Sequence, residues 1–378
     1  MCKRLGLSAA IALLAVGLSA PAATASRNML VGILDEANVL YGDPYTTFPT
    51  LRQLRAEVVR VNLYWGGRFG VASERPGSAT NPRDAAYDWT LYDRTVHFAA
   101  QYRMRVVFSI YGTPGWANGF RGLNRAPRNF TDLRNFAYAA ARRYSGSYRG
   151  PDGRILPAVK MWLAWNEPNN PVLLFPQYVR RNGRWVAQAA RDYARICNAI
   201  YNGIHATSVR GERVGCGVTA PRGNNAPASV RPSISPLVFL RAAKAAGMRR
   251  FDVYAHHPYY LRKNESPTTR SRDGNAITLA NIGRLISEVR RLYGRKQFWI
   301  TEYGYQTNPP DRALGVSYAT QARWLTQAFR IARRHPRIDM MIWFLLKDDT
   351  SANGWQSGLL TATGRRKPAF EAFRRFPR

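Results

Sequence analysis

The chain is short of acid, of lysine and of cysteine. Its 378 residues hold 23 Asp and Glu against 56 Lys and Arg, for a formal net charge of +33. Only seven of the basic residues are lysine, so 49 are arginine. Such an imbalance speaks to partners and association rather than to fold. Three cysteines, at 2, 197 and 216, are too few for a disulfide-stapled scaffold, and their spacing fits no metal site. Cys197 and Cys216 leave two readings open: a disulfide in an oxidising compartment, or two buried thiols packing as small hydrophobes. Among the five histidines, the neighbours His256 and His257 lack the spacing of a zinc motif. No G-x-G-x-x-G run follows the first apolar strand, which argues against a dinucleotide site. No finger or RNP-type motif is present, so the positive charge is not read as nucleic-acid binding. No metal and no cofactor are expected.

Long apolar runs are also scarce. The longest, residues 5–20, is short for a membrane span. Lys3 and Arg4 precede it, Pro21 breaks it, and Ala23-Thr24-Ala25 supplies a small-x-small cleavage pattern. Residues 1–25 are therefore expected to be a signal peptide. Residues 26–378 are expected to be one exported domain, a monomer, secreted or held at the cell envelope, with no membrane span. Cys2 lies at the very N-terminus rather than after the apolar run, away from a lipoprotein position.

What the chain does have is alternation. Eight short apolar runs read as strands: Met29–Leu34, Val58–Leu63, Arg105–Ile110, Val159–Trp165, Arg213–Thr219, Phe251–His256, Gln297–Thr301 and Met340–Leu345. Helical patterns separate them, among them Leu91–Tyr102, Leu133–Tyr144, Val186–His205, Pro236–Ala246, Thr278–Tyr293 and Tyr318–Arg334. Asp132 and Ser317 stand where helix N-caps are expected. Parallel strands need long crossovers, so this order predicts an α/β fold. Eight units predict a single (β/α)8 TIM barrel, with an open doubly wound sheet as the alternative. Two long stretches, Gly66–Asp88 and Pro221–Pro236, become enlarged loops walling a cleft at the barrel's C-terminal face.

Two glutamates end two strands. The fourth strand runs into Trp165-Asn166-Glu167-Pro168-Asn169, and the seventh into Thr301-Glu302-Tyr303-Gly304. Strands half a barrel turn apart bring both to the mouth. One carboxylic acid protonating a leaving oxygen, with a carboxylate attacking the anomeric carbon, is what cleavage of a glycosidic bond requires.

These segments resemble clan A of the glycoside hydrolases, with the cellulase-like family 5 and the xylosidase-like family 39 nearest in pattern. Asn166-Glu167-Pro168 is similar to the clan's strand-four signature, and Thr301-Glu302-Tyr303-Gly304 to its strand-seven signature. Val59-Arg60-Val61 with Trp65, Thr113-Pro114-Gly115-Trp116-Ala117, His257-Pro258-Tyr259, Trp343 with Asp348-Asp349, Gly358-Leu359 and Lys367-Pro368-Ala369 follow in the matching order. The resemblance implies a retaining β-glycosidase with Glu167 as acid/base and Glu302 as nucleophile. It implies that Arg60 holds the nucleophile ionised and that Asn166 binds the sugar 2-hydroxyl. Tyr259 would donate to the nucleophile, and His257 would orient the pair or bind sugar. Trp65, Trp116 and Trp343 are candidate sugar platforms. The same residues would serve a transglycosylase, and a non-catalytic glycan- or envelope-binding barrel is the alternative from another class. The arginines are either a solvated outer face or a means of attracting an anionic glycan.

Overall fold

Among the described residues, short runs rich in Val, Ile, Met and aromatic residues form ten strands. They are β1 (Leu30–Leu34), β2 (Val58–Tyr64), β3 (Arg105–Tyr111), β4 (Met161–Ala164), β5 (Val179–Arg181), β6 (Arg184–Val186), β7 (Arg213–Thr219), β8 (Val253–His256), β9 (Gln297–Tyr303) and β10 (Ile338–Phe344). The computed structural model describes Ser26 and residues 28–378; the leader expected at residues 1–25 lies outside them. Eight strands pair in parallel and close into a barrel in the order β1-β10-β9-β8-β7-β4-β3-β2. Helices cross over between them, as parallel pairing demands. The predicted barrel is therefore present, and the open sheet is excluded. All eight expected strands occur, each within a few residues of its predicted bounds.

Both faces of the sheet are buried, which is why its strands are almost continuously apolar. Leu34, Val58, Val107, Met161, Leu163, Val218, Val253, Ala255, Trp299, Met340 and Ile342 fill the barrel's interior. Alternate residues of the same strands pack outward against the helices, Phe108, Trp162 and Trp343 among them. The helix Gln188–Ile204 turns its buried Ala, Ile and Tyr toward the sheet, and Cys197 on it is disulfide-bonded to Cys216 of β7. Of the two cysteine readings, the structure holds the paired one.

Two local expectations are corrected. Asn129, not Asp132, caps the helix Phe130–Arg143: its side chain accepts the Thr131 N–H, and Asp132 falls in the first turn. A two-stranded hairpin, β5–β6, is inserted after β4. Its Asn182-Gly183 turn has both φ values positive, the hairpin signal that the strand search passed over. Ser317 does cap its helix, accepting the Thr320 N–H. Among the described residues, no helix is long and apolar enough to cross a membrane.

Candidate active site

The mouth of the barrel is built on one buried cation. Arg60 sits in the interior of β2 and is 0% exposed. Its Nη1 donates to Glu302 Oε1 at 2.8 Å and to the Thr301 carbonyl at 2.9 Å. Its Nη2 donates to Asn166 Oδ1 at 2.7 Å. A guanidinium can only donate, so the Asn166 amide must turn its oxygen inward. Its NH2 group is thereby left for a ligand.

Glu302 ends β9, with 12% of its side chain exposed. Besides Arg60, its other oxygen accepts the Tyr259 hydroxyl at 3.2 Å. Burial and the facing glutamates push the Tyr259 hydroxyl well above its ordinary pKa, so it stays a donor. Gly304, two residues on, makes room for the chain beside it. A Cβ there would lie 2.5 Å from the Phe344 carbonyl oxygen.

Glu167 follows β4 in a strained segment. Trp165 and Glu167 both have left-handed backbone, with φ of 69° and 38°, at a cost of roughly 1–3 kcal/mol each. The Trp165 N–H bonded to the Ile110 carbonyl and the Glu167 N–H bonded to the Val218 carbonyl hold the segment in place. Asn169 reinforces it from below. Its buried amide accepts the Ala220 N–H and donates to the Ala220, Arg222 and Ile234 carbonyls, fastening the 221–236 loop to the end of β4. Burial raises the Glu167 carboxyl above its ordinary range; a hydrogen bond from Asn170 and the charge of Arg60 pull it partly back.

His257 lies between the two acids. Its Nε2 is 3.2 Å from Arg60 Nη1 and 3.0 Å from the Thr301 hydroxyl. Arginine cannot accept, so Nε2 does, and the proton sits on Nδ1, which donates to Glu167 Oε1 at 3.0 Å. Burial holds the ring neutral, with a pKa lowered to about 3. The neighbouring His256 faces the other way and is satisfied structurally, by the Thr219 hydroxyl and the Ile277 carbonyl.

A carboxylate oxygen of Glu167, one of Glu302 and a ring nitrogen of His257 lie within 4.8 Å of one another. Three such ligands could in principle grip a metal ion. The Arg60 cation already in contact with Glu302 makes the trio a poor cation site.

The tryptophans divide. Trp343 is 0% exposed and faces outward, against Phe329 and Tyr303, with its indole N–H on the Ser357 carbonyl. Trp65 is 1% exposed and stacks on Phe136. Neither can lie under a sugar, because both are on the helix-facing side of the wall. Trp116 is half-buried at the mouth end of β3, with Arg75 over its ring at 4.6 Å. Two aromatics that the sequence did not single out stand nearer the acids. Phe344, half-buried, packs edge-on against Tyr259, and the exposed Trp355 packs on Phe344. Glu36, just past β1, is a third carboxylate at the mouth. Only its place after a strand end could have flagged it.

Residues 239–373 match the family described as glycosyl hydrolase catalytic core. Among the curated proteins, none matches the chain. Solved structures do. A family 39 glycoside hydrolase from Bacteroides cellulosilyticus WH2 is 17% identical with a TM-score of 0.62, over 92% of this chain and 64% of its own. A glucosidase from Croceicoccus marinus is 15% identical with a TM-score of 0.62, over 93% of this chain and 66% of its own. A GH5_18 protein from Streptomyces cattleya, solved in complex with GlcNAc, is 17% identical with a TM-score of 0.55, over 92% and 79%. This chain thus spans about two thirds of the length of the first two. The fold is shared with these family 39 and family 5 structures, as the order of the motifs led us to expect, and the C-terminal match is to a glycosyl hydrolase catalytic core.

Proposed function

We propose that the protein is a retaining glycoside hydrolase that cleaves O-glycosidic bonds of a poly- or oligosaccharide by double displacement. The observation that carries the proposal is the approach of Glu167 and Glu302 to within 4.8 Å in unlike environments. Retaining pairs stand roughly 5–5.5 Å apart and inverting pairs roughly 6.5–9.5 Å. Glu302, against Arg60 and Tyr259, is equipped to attack as a carboxylate. Glu167, its pKa raised by burial, is equipped to protonate the leaving oxygen and later to deprotonate water. Its Oε1 accepts the His257 N–H at 3.0 Å and its Oε2 the Asn170 amide N–H at 3.2 Å. The Asn166 NH2 group would meet the sugar 2-hydroxyl, a contact that strengthens in the transition state.

The Cys197–Cys216 disulfide and the leader-like residues 1–25 support export to an oxidising compartment. The test is proton NMR of the first product formed from a β-glycoside. The β-anomer is expected first, and an α-anomer at early times would overturn double displacement.

A further inference from the structure

We infer that Glu36 binds the glycone, the sugar unit that becomes attached to the nucleophile, and selects a neutral sugar with adjacent hydroxyls over a uronic acid. The inference rests on the glycosidase reading of the mouth and adds a substrate class to it.

The position of Glu36 is fixed by its neighbour. Asp35 is 1% exposed and accepts the backbone N–H groups of Asn38, Leu346 and Lys347. That ties the end of β1 to the chain leaving β10. In the barrel ring, β1 is two strands from β9, which carries Glu302, and three from β4, which leads to Glu167. Glu36 therefore stands on the nucleophile's side. Arg60 and Glu302 are both among the charges that act on it, one lowering and the other raising its pKa, while burial raises it most.

Its carboxylate is held but not saturated. Oε1 accepts the Asn62 N–H at 2.6 Å and Oε2 the Tyr64 hydroxyl at 3.0 Å. Each oxygen can take a second donor. Two neighbouring hydroxyls of a pyranose supply that pair. A uronic acid supplies an anion instead, which the Glu36 carboxylate would repel rather than bind. Glu36 and the nucleophile Glu302 face one buried cation, and the Arg60 Nη groups are already engaged by His257, Thr301, Glu302 and Asn166. A further negative charge beside Glu36 would be repelled in a setting where screening is weak. The selection made at the mouth is thus opposite in sign to the charge of the chain as a whole.

The test uses the full chain and 4-nitrophenyl β-glycosides of glucose, galactose, mannose, xylose and glucuronic acid, which share one leaving group. The best neutral glycoside should exceed the glucuronide in kcat/KM by at least about tenfold. Glu36→Gln should lose roughly 10- to 100-fold on that neutral glycoside, as expected for a lost charged hydrogen bond, and little on the glucuronide. Because the glycone stays bound through both steps, the loss should be the same for a dinitrophenyl leaving group. Tyr64→Phe, which frees Oε2 without removing the charge, should lose less. A wild-type preference for the glucuronide, or an unaltered Glu36→Gln with unaltered melting temperature, overturns the inference. If no aryl glycoside is cleaved, calorimetric binding of cello-oligosaccharides against oligogalacturonides decides. Glu36-dependent binding of the neutral series keeps the inference while the hydrolase reading fails, and binding of neither overturns both.

Discussion

Glu167 and Glu302 are one residue type in two settings, and neutralising each should fail differently. Glu302→Gln removes the attacking carboxylate and should abolish turnover of every β-glycoside. Glu167→Gln should lose roughly 10²–10⁴-fold on a natural linkage but keep much of its glycosylation rate on a dinitrophenyl glycoside, whose leaving group needs no proton. Burst kinetics on both substrates separates the two; equal loss on both would contradict this assignment of roles. The pH profile follows from Glu167. Its raised pKa means that the proton donor is lost only as pH climbs above the ordinary glutamate range, so kcat/KM should fall on that alkaline side. Asn170 stabilises the ionised form. Asn170→Ala should therefore move the alkaline limb to higher pH, as read from kcat/KM profiles; a shift to lower pH would contradict the assignment. Arg60, Asn166, Glu167, His257, Tyr259 and Glu302 were legible because each ends or lines a strand at a recognisable motif. Trp65 and Trp343 were misread for a physical reason. A strand buried on both faces is apolar throughout, so its sequence does not say which residues point into the barrel and which toward the helices. Glu36 has no motif around it, and its partners Asn62 and Tyr64 lie on another strand.

The segment after β10 depends on a single buried ion pair. Lys367 Nζ reaches Asp348 at 2.7 Å and the Thr307 hydroxyl at 2.8 Å, with the lysine side chain 0% exposed. This pair closes the base of the loop that carries Trp355 beside Phe344. Removing one partner leaves the other buried and uncompensated, which costs about 3–5 kcal/mol. Lys367→Met should thus lower the melting temperature by several degrees and weaken substrate binding more than chemistry. Calorimetry together with KM and kcat checks both halves, and an unchanged melting temperature would show the pair to be dispensable. Sequence pattern placed the element boundaries well where Gly, Pro or a cap residue marks them. It did not place this latch, because Thr307, Asp348, Gln356 and Lys367 converge only after the barrel closes.

At the scale of the whole molecule, part of the positive charge lies on the outer helices. Arg323, Arg330 and Arg334 are exposed along the helix Tyr318–Arg334 and line a groove of about 790 Å³ beside Trp324. If that face draws anionic polymer, its pull-down should weaken steeply between 0.1 and 1 M salt, where the screening length falls from about 10 to 3 Å. Hydrolysis of a small neutral glycoside should hardly change over the same range. Pull-down that is indifferent to salt would reduce the arginines to a solvated face. The barrel's closure was legible from alternation alone, whereas the distribution of charge over its outside was not. The ring also bears on how such a site can vary. Arg60 joins Asn166, His257, Thr301 and Glu302, which lie at or beyond the ends of three other strands. Substitutions at these positions will be epistatic. A library that changes them one at a time will find almost nothing but inactive proteins, and a new specificity will emerge sooner from the rim, where Phe344 and Trp355 can change without disturbing that shared guanidinium.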